Sequence, residues 1–425
     1  MLVKWKWFVA LAMALTLSWL TAALGDEAAP PSLSLQDCIA IALQRQIDVL
    51  VGQNGLESAR GRERSAKSNY YPQVSVQDNR VLVKSGLGAG QLQGTSVNVS
   101  ENFYDGGLRE AQVRGARAGV AQSTFSLQRT EQTVTFNVTS SYFALLQARQ
   151  LADVQEAQVK YLEEQRAMVQ AQIDVGSAAP VDVLPVEAQL ATARVSQLSA
   201  KNAVLTSAIK LQNVMGLPPQ AGFSVQDVAE PAATEPVPLE DYARVALANR
   251  PDVQGAGASV EAARSSVQSA KIVFRPRPVV SGQFGQSLSD GSSHSLTITG
   301  GIVYALFDGG ANRAAYDQAR AGLSSAELQA AQLEKDIEAQ VQQAYLNLTN
   351  ARERLAATDL SLKAAQKNYD AQRGRYEQGL AITLDLLNAQ SQVVTAQSNA
   401  VQARYDYYTS MAQLQYAIGK QGELK

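Results

Sequence analysis

Alternating apolar and polar residues mark two pairs of short segments along the chain. In 94–104 and in 294–306, apolar side chains stand at nearly every second position, with serine, threonine, asparagine or glycine between them. A further alternating segment precedes each of these, at 72–84 and at 277–288. Such alternation predicts β-strands with one apolar and one polar face. Their lengths of roughly 10–13 residues suit tilted transmembrane strands, which need about 9–11.

Helical periodicity follows each pair of strands. The stretches 108–173 and 312–378 contain no proline, and the second places its apolar residues at alternating steps of three and four. This is the spacing of a coiled-coil seam, and at 1.5 Å per residue each stretch predicts a rod of about 100 Å. A turn then leads into a shorter predicted helix, at 182–215 and at 385–418. Another helix is predicted before the first strands, at 35–69.

The order of these elements occurs twice, which indicates that one structural unit has been duplicated. Asp48-Val49 recurs as Asp252-Val253, and the Asp-Gly-Gly at 105–107 recurs at 308–310, which are shifts of 204 and 203 residues. The predicted organisation is a first repeat at 26–217, a linker at 218–238, a second repeat at 239–419 and a C-terminal tail at 420–425.

The N-terminus resembles a secretory signal peptide, predicted at 1–25. Lys4 and Lys6 precede the apolar run from Trp7 to Leu20, and small residues lead to Asp26. An uncleaved membrane anchor is the alternative. After residue 25 the sequence contains no apolar run of about 18 residues. A mature chain that crosses a membrane would therefore do so as a β-barrel.

Composition argues against catalysis. The chain has 37 basic and 39 acidic residues and a net charge of −2, so it offers no basic footprint for nucleic acid. Its one histidine, His294, and one cysteine, Cys38, cannot supply a transition-metal site, a disulfide or a Cys/His nucleophile pair. We expect no enzyme, no cofactor and no metal.

The number of predicted strands requires several copies of the chain. Four strands cannot close a transmembrane barrel, because the smallest closed barrels have about eight and lipid does not tolerate an open sheet edge. Two copies would supply eight strands, three would supply twelve and four would supply sixteen. The rods of the same copies would continue below the barrel as a helical tube. A soluble periplasmic coiled-coil scaffold or binding protein without a pore is the alternative.

In these features the sequence resembles the TolC-type outer-membrane efflux proteins. The resemblance covers nearly the whole mature chain and is carried by the duplicated organisation, by the aromatic-Asp-Gly-Gly sequences at 104–107 and 307–310, and by the helix-turn segments 176–184 and 376–387. It implies a mixed α and transmembrane β fold. In that fold a homotrimer forms a 12-stranded β-barrel in outer-membrane lipid, continued by a periplasmic α-helical coiled-coil tunnel of 12 helices.

The same resemblance implies a function in export. Such a channel is the passive outer-membrane exit of a tripartite efflux pump or a type I secretion system, and it conducts small molecules or polypeptides to the exterior. Its partners would be a periplasmic adaptor protein and an inner-membrane transporter. Drug efflux and protein secretion both stay open, as do proton-driven and ATP-driven partners.

The family resemblance also assigns residues at the turns between the helices. The predicted periplasmic gate contains Asp182, Tyr376, Asp385 and Asn388. Tyr376 is expected to hydrogen-bond Asp182 across neighbouring tips, and both aspartates have an alternative role as helix N-caps. Ala381 stands where a gating arginine can occur, and Asn388 stands where a second acidic residue can occur. The resemblance therefore does not say how the gate closes. The expected adaptor-docking residues are Gly176, Ser177, Ala178, Gly379, Leu380 and Ala381.

Two short glycine motifs are expected at the junctions between strand and helix. They are Asp105-Gly106-Gly107 and Asp308-Gly309-Gly310. We interpret the glycines as a sharp bend and the aspartates as acceptors for free backbone N–H groups. A phosphate-binding loop is the alternative, but no Lys-Ser/Thr follows either motif.

Overall fold

A computed structural model of the chain describes residues 32–85, 88–218, 223–228, 238–273, 275–287 and 293–420. The predicted signal peptide 1–25 lies outside the described residues. So do much of the predicted linker and all of the predicted tail except Lys420.

The chain alternates short strands with helices in the same order in both halves. The first half contains β1 (Ser32–Leu33), α1 (Leu35–Arg45), α2 (Ile47–Ser68), β2 (Gln73–Ser85), β3 (Gly88–Tyr104), α3 (Leu108–Asp174), a 3-10 turn (Pro180–Asp182) and α4 (Val183–Val214). The second contains β4 (Ser224–Val225), α5 (Leu239–Asn249), α6 (Pro251–Val273), β5 (Arg277–Ser287), β6 (His294–Val303), α7 (Ala311–Glu377) and α8 (Thr383–Ala417).

The two long helices α3 and α7 are the largest elements. Each contains 67 residues and is therefore about 100 Å long. They begin alike, since Gly107 and Gly310 both have φ of 90° at the N-cap. No helix in the described part of the chain is both long enough and apolar enough to span a bilayer.

The single helix predicted at 35–69 is wrong, because the chain breaks at Gln46. Gln46 has an extended backbone with ψ of 129°, and its side chain accepts a hydrogen bond from the N–H of Ile47. Tertiary packing coincides with the break: a Cβ on Gly216, just after α4, would lie 2.9 Å from the carbonyl oxygen of Arg45. In the second half the equivalent break is visible in the sequence, since Pro251 starts α6.

Strands β2, β3, β5 and β6 form one antiparallel sheet in that order. Paired residues share a face, so the register places Val74, Val99, Phe284 and Leu296 in one apolar row across the sheet. The neighbouring row contains Ser75, Asn98, Gly285 and Ser295. The predicted two-faced strands are thus present, although β3 begins at Gly88, earlier than the predicted 94.

The predicted linker 218–238 is more than a connection. It contains β4, which pairs in parallel with β1. The Tyr142 hydroxyl of α3 donates hydrogen bonds to the carbonyl oxygens of Leu33 and Gln226, at 3.2 and 2.5 Å. Arg149 donates to the carbonyl oxygen of Val225. These contacts fasten the two-stranded pair to the middle of α3, and the sequence pattern gave no sign of them.

Three apolar clusters hold the helices together. The first packs α1, α3, α4 and α8 around Tyr142, Phe143 and Tyr408. The second joins α5 and α7 to the end of α8. The third lies where the long helices end, and it packs Leu387 of α8 against Leu162 of α3 and Val186 of α4. Because of this third cluster, the two helix turns lie at the same end of the molecule.

Candidate functional site: the helix turns and the strand–helix junctions

The turn after α3 is a glycine-terminated helix end. Gly176 has φ of +78°, which a residue with a side chain rarely adopts. Its N–H donates to the carbonyl oxygen of Ile173 at 2.9 Å, and the Ser177 N–H donates to that of Gln172 at 2.8 Å. This pair of bonds satisfies carbonyl groups that the helix leaves free. The predicted docking residues Gly176 and Ser177 are exposed, and Ala178 is half-buried.

The turn after α7 repeats this geometry. Gly379 has φ of +73°. The N–H groups of Gly379 and Leu380 donate to the carbonyl oxygens of Tyr376 and Arg375, at 2.9 and 2.8 Å. The Leu380 side chain is 65% exposed at the end of the hairpin, and Ala381 is half-buried. All six predicted docking residues therefore lie on two equivalent turns at one end of the molecule.

The helix-capping alternative is confirmed in position for Asp182, which is the N-cap residue of α4, and is wrong for Asp385. The N-cap of α8 is Ile382, and Asp385 is the third residue of the helix, because the Ile382 carbonyl already accepts the Asp385 N–H at 3.0 Å. Asp182 precedes α4, but its carboxylate accepts the N–H of Ala179 at 2.9 Å. It makes no side-chain capping bond to α4. Both carboxylates are exposed, as is Asn388.

Tyr376 is half-buried near the end of α7. It acts electrostatically on Tyr161 of α3, as does Arg373, one turn earlier in α7. Within the described part of one chain, Asp182 bonds to Ala179 and Tyr376 lies near Tyr161. The hydrogen bond between Tyr376 and Asp182 stays a prediction for the contact between neighbouring tips.

The first strand–helix junction is buried and tightly bonded. Asp105 is 6% exposed, and its carboxylate accepts the N–H groups of Leu108 and Arg109 at 3.1 Å each. Gly106 and Gly107 have φ of 76° and 90°, so the chain turns sharply from β3 into α3. Arg109 donates to backbone carbonyls of Asn69, Asn102 and Phe103. Sequence analysis missed Arg109, because the second repeat has Asn312 at its position.

At the second junction an aspartate again accepts backbone N–H groups, but it lies on the surface. Asp308 accepts the N–H groups of Asn312 and Gly310 at 2.8 and 2.9 Å. The hydrogen bond from the Asn312 N–H is the largest effect on the pKa of Asp308 and lowers it below its usual value. Burial opposes this effect, and the Gly310 N–H adds to the lowering of the pKa. Gly309 and Gly310 have φ of 70° and 90°. In both junctions the aspartates receive backbone N–H groups of their own chain, which is a structural role.

The described residues include no group of three or more His, Cys, Asp or Glu side chains that could bind a metal ion.

Comparison with known proteins agrees with this arrangement. The sequence profile of the family described as "Outer membrane efflux protein" matches residues 38–217 and 243–420. The chain is 26% identical over 367 residues to the outer membrane efflux protein BepC of Brucella suis, a match that covers 84% of this chain and 78% of BepC. It is 26% identical over 319 residues to the alkaline protease secretion protein AprF of Pseudomonas aeruginosa, covering 71% and 65% of the two chains.

A solved structure shows the same fold. The outer-membrane channel OprN superposes with a TM-score of 0.78 at 21% identity, over 91% of this chain and 89% of OprN. The family match covers most of both repeats, and the similarity to OprN extends through the helices and the sheet. The chain therefore belongs to the outer membrane efflux protein family, whose members are export channels rather than enzymes, and it is an outer-membrane protein.

Proposed function

We propose that three copies of this chain assemble into the exit duct of a tripartite efflux pump or type I secretion system. Their sheets would close a 12-stranded barrel in outer-membrane lipid, and their rods would continue it as a 12-helix tunnel. The observation that carries the proposal is the four-stranded sheet: within the described residues β2 pairs only with β3, and β6 only with β5. Two open edges and an exposed apolar row need further strands and lipid.

The helices support the same assembly. Helix α4 carries exposed apolar side chains at Val195, Leu198 and Leu205, and α7 carries others at Leu328 and Leu360. Within one chain, α8 packs along α3. Because α4 is the repeat equivalent of α8, and α7 that of α3, the duplication provides the matching contact between α7 of one copy and α4 of the next. That contact would cover both apolar faces.

The exposed turns are suited to receive an adaptor protein. Glycine, serine and alanine side chains let another backbone approach closely, and Leu380 offers an apolar contact. The double substitution Leu380→Glu and Ala381→Glu should abolish export, because it places charge and bulk at the contact. Export of a pump substrate from cells is the measurement, with native mass spectrometry to show that the trimer persists. Export at the wild-type level in this variant would contradict the docking role.

The gate would be an acidic ring. Three symmetry-related copies of Asp385 near the tunnel axis would attract multivalent cations and resist close approach unless paired or protonated. We expect Asp385→Ala to weaken the block of single-channel current by a trivalent cation added on the periplasmic side. Asp317→Ala, at the far end of α7, is the matched control and should leave the block unchanged. Equal block in wild type and Asp385→Ala would remove Asp385 from the lumen.

The exported substance would be selected by the partner proteins rather than by this chain. The relatives named above include an efflux protein and an alkaline protease secretion protein, and the proposed duct serves either class. Its own contribution is a passive path from the periplasm to the exterior. Energy for transport would come from the inner-membrane transporter.

A further inference from the structure

The two long helices meet near their turns through a pair of tyrosines. The rings of Tyr161 in α3 and Tyr369 in α7 have centroids 6.1 Å apart and an interplanar angle of 73°, an edge-to-face arrangement. In the described part of the chain, α3 packs mainly against α2, α4, α6 and α8, and α7 mainly against α5, α6 and α8. The pair therefore joins two rods that share no extended interface.

Helix α8 makes hydrogen bonds to both rods at this level. Gln390 of α8 donates to Gln158 of α3 at 3.1 Å. Asn368 of α7 donates to Gln392 of α8 at 3.3 Å. The two tyrosines lie within one helical turn of these bonds, so their rings bridge the rods beside α8. The end of α7 is thereby tied to the first repeat by an aromatic contact and a few polar ones.

Two buried polar atoms beside this contact lack partners. Gln165 Oε1 and Gln372 Oε1 are buried and have no hydrogen bond within the described residues. Gln165 lies one turn beyond Tyr161 in α3, and Gln372 one turn beyond Tyr369 in α7. Burial, and after it a side-chain hydrogen bond with Tyr369, raise the pKa of Tyr161 far above its usual range.

The rings and the buried polar atoms have opposite effects on the contact between α3 and α7. Edge-to-face rings attract each other beyond the effect of their burial. Buried polar atoms without partners lose their hydrogen bonds to water, and they would regain them if α7 moved away from α3. An apolar seam would only resist separation, whereas this contact is held by the rings and opposed by the polar atoms. Such a balance suits an element that must both close and open.

We propose that Tyr161 and Tyr369 are positioning residues of the gate. Their ring contact holds the end of α7 against α3 and keeps the periplasmic end of the tunnel narrow. This rests on the proposed function, in which the helix turns surround the constriction. It supplies a closing contact within each copy of a chain that has Ala381 where a basic latch can stand.

Single-channel recording of the purified oligomer in planar bilayers tests the pair. Tyr161→Ala and Tyr369→Ala should each raise the open-to-closed ratio by about three- to tenfold per chain, because each removes the ring contact. Tyr161→Phe keeps the ring contact and removes only the hydroxyl, so its ratio should stay close to that of the wild type. Gln372→Leu should lower the ratio, because it removes an unpartnered oxygen that favours opening.

A second tyrosine pair on the same helix provides the matched control. Tyr242 of α5 and Tyr345 of α7 also have ring centroids 6.1 Å apart, but they lie far from the turns. Tyr242→Ala should leave the open-to-closed ratio unchanged. If it raised the ratio as much as Tyr369→Ala does, general loosening of α7 would explain the result and the proposal would be wrong.

Hydrogen–deuterium exchange gives a readout that does not depend on conductance. In Tyr161→Ala and Tyr369→Ala, amides in 365–378 should exchange faster than in the wild type, whereas Tyr161→Phe should retain wild-type protection. Unchanged exchange and unchanged opening in both alanine variants would overturn the tyrosine contact. A wild-type oligomer that forms no channel would instead contradict the proposed function, and the exchange comparison would still decide the role of the pair.

Discussion

At the scale of single residues, Arg250 fixes the place where the second repeat meets the first. Its side chain is 2% exposed and binds both carboxylate oxygens of Asp252, at 3.0 and 2.5 Å. It also donates to the carbonyl oxygen of Ala417. Arg129 of α3 approaches the same carboxylate at 3.6 Å and lies over the ring of Tyr416. The carboxylate of Asp252 in α6 thus contacts Arg129 of α3, and Arg250 links it to the end of α8.

Removing that carboxylate should cost stability. Asp252→Asn leaves Arg250 buried without its ionic partner, so we expect a loss of about 3 kcal/mol in the free energy of unfolding. Thermal unfolding of the detergent-solubilised protein, followed by circular dichroism, measures the change. Asp241→Asn is the control: it breaks only an exposed pair with Arg244 and should cost well under about 1 kcal/mol. Equal effects of the two substitutions would show that the buried pair is not special.

The contribution of Asp252 should depend on pH. Burial opposes its ionisation, but hydrogen bonds and charge from Arg250, with the charge of Arg129, outweigh burial and lower the pKa of Asp252 below the ordinary 3.8. Because the pKa of Asp252 is lower in the folded state, its carboxylate stabilises the protein above pH 3.8. This stabilisation is lost as the pH falls through the folded-state pKa. The difference in melting temperature between wild type and Asp252→Asn should therefore shrink below pH 3.8. A constant difference would contradict the assignment.

At the scale of elements, the junction glycines determine how a strand continues into a rod. Gly310 has φ of +90° at the start of α7, with open space where a Cβ would stand. Gly322 lies inside the same helix and is equally open, but with ordinary helical backbone. The two positions thus differ in backbone conformation rather than in crowding.

Alanine at these two positions should act in opposite directions. Gly310→Ala should destabilise by about 1–2 kcal/mol, because a Cβ is strained at positive φ. Gly322→Ala should stabilise by about 0.5–1 kcal/mol, because alanine loses less backbone freedom in a helix. Melting temperatures of the two variants under identical conditions provide the measurement. A destabilised Gly322→Ala would show that another chain occupies the open space beside α7.

Local patterns predicted the strands and the long helices, and tertiary contacts decided what the patterns missed. Alternation in 277–288 and the proline-free run at 312–378 depend on neighbouring residues alone, so β5 and α7 were visible in the sequence. The break at Gln46 and the pairing of β1 with β4 depend on distant segments, namely the end of α4 and Tyr142. Neither leaves a periodic signal.

Some residues of the candidate site could likewise be predicted from the sequence, and others could not. The turn glycines could be found because positive φ demands glycine and the motif occurs twice. Tyr161 could not, because its partner Tyr369 lies in the other repeat and looks like one more residue of the heptad seam. Arg109 was equally hidden, since only the first repeat contains it. Comparison of the two repeats identifies residues that both repeats contain, and it misses residues such as Arg109 that only one repeat contains.

At the scale of the whole molecule, the duplicated chain is incomplete alone. Within the described residues its sheet has two open edges, and helices α4 and α7 expose apolar faces. The repeat relation between these helices allows identical copies to follow one another around a ring, as the two repeats do within one chain. The tips of all copies would then meet at one end, where the proposed gate and docking residues lie.

The most direct test is the conductance of the purified, detergent-extracted oligomer in a planar lipid bilayer, with a trivalent cation added to each side in turn. We expect discrete channels that are blocked from one side only, because the proposed acidic ring lies at one end of the proposed tunnel. An oligomer that does not insert into the bilayer, or that carries no current even in the Tyr369→Ala variant, would contradict an export channel built from this chain.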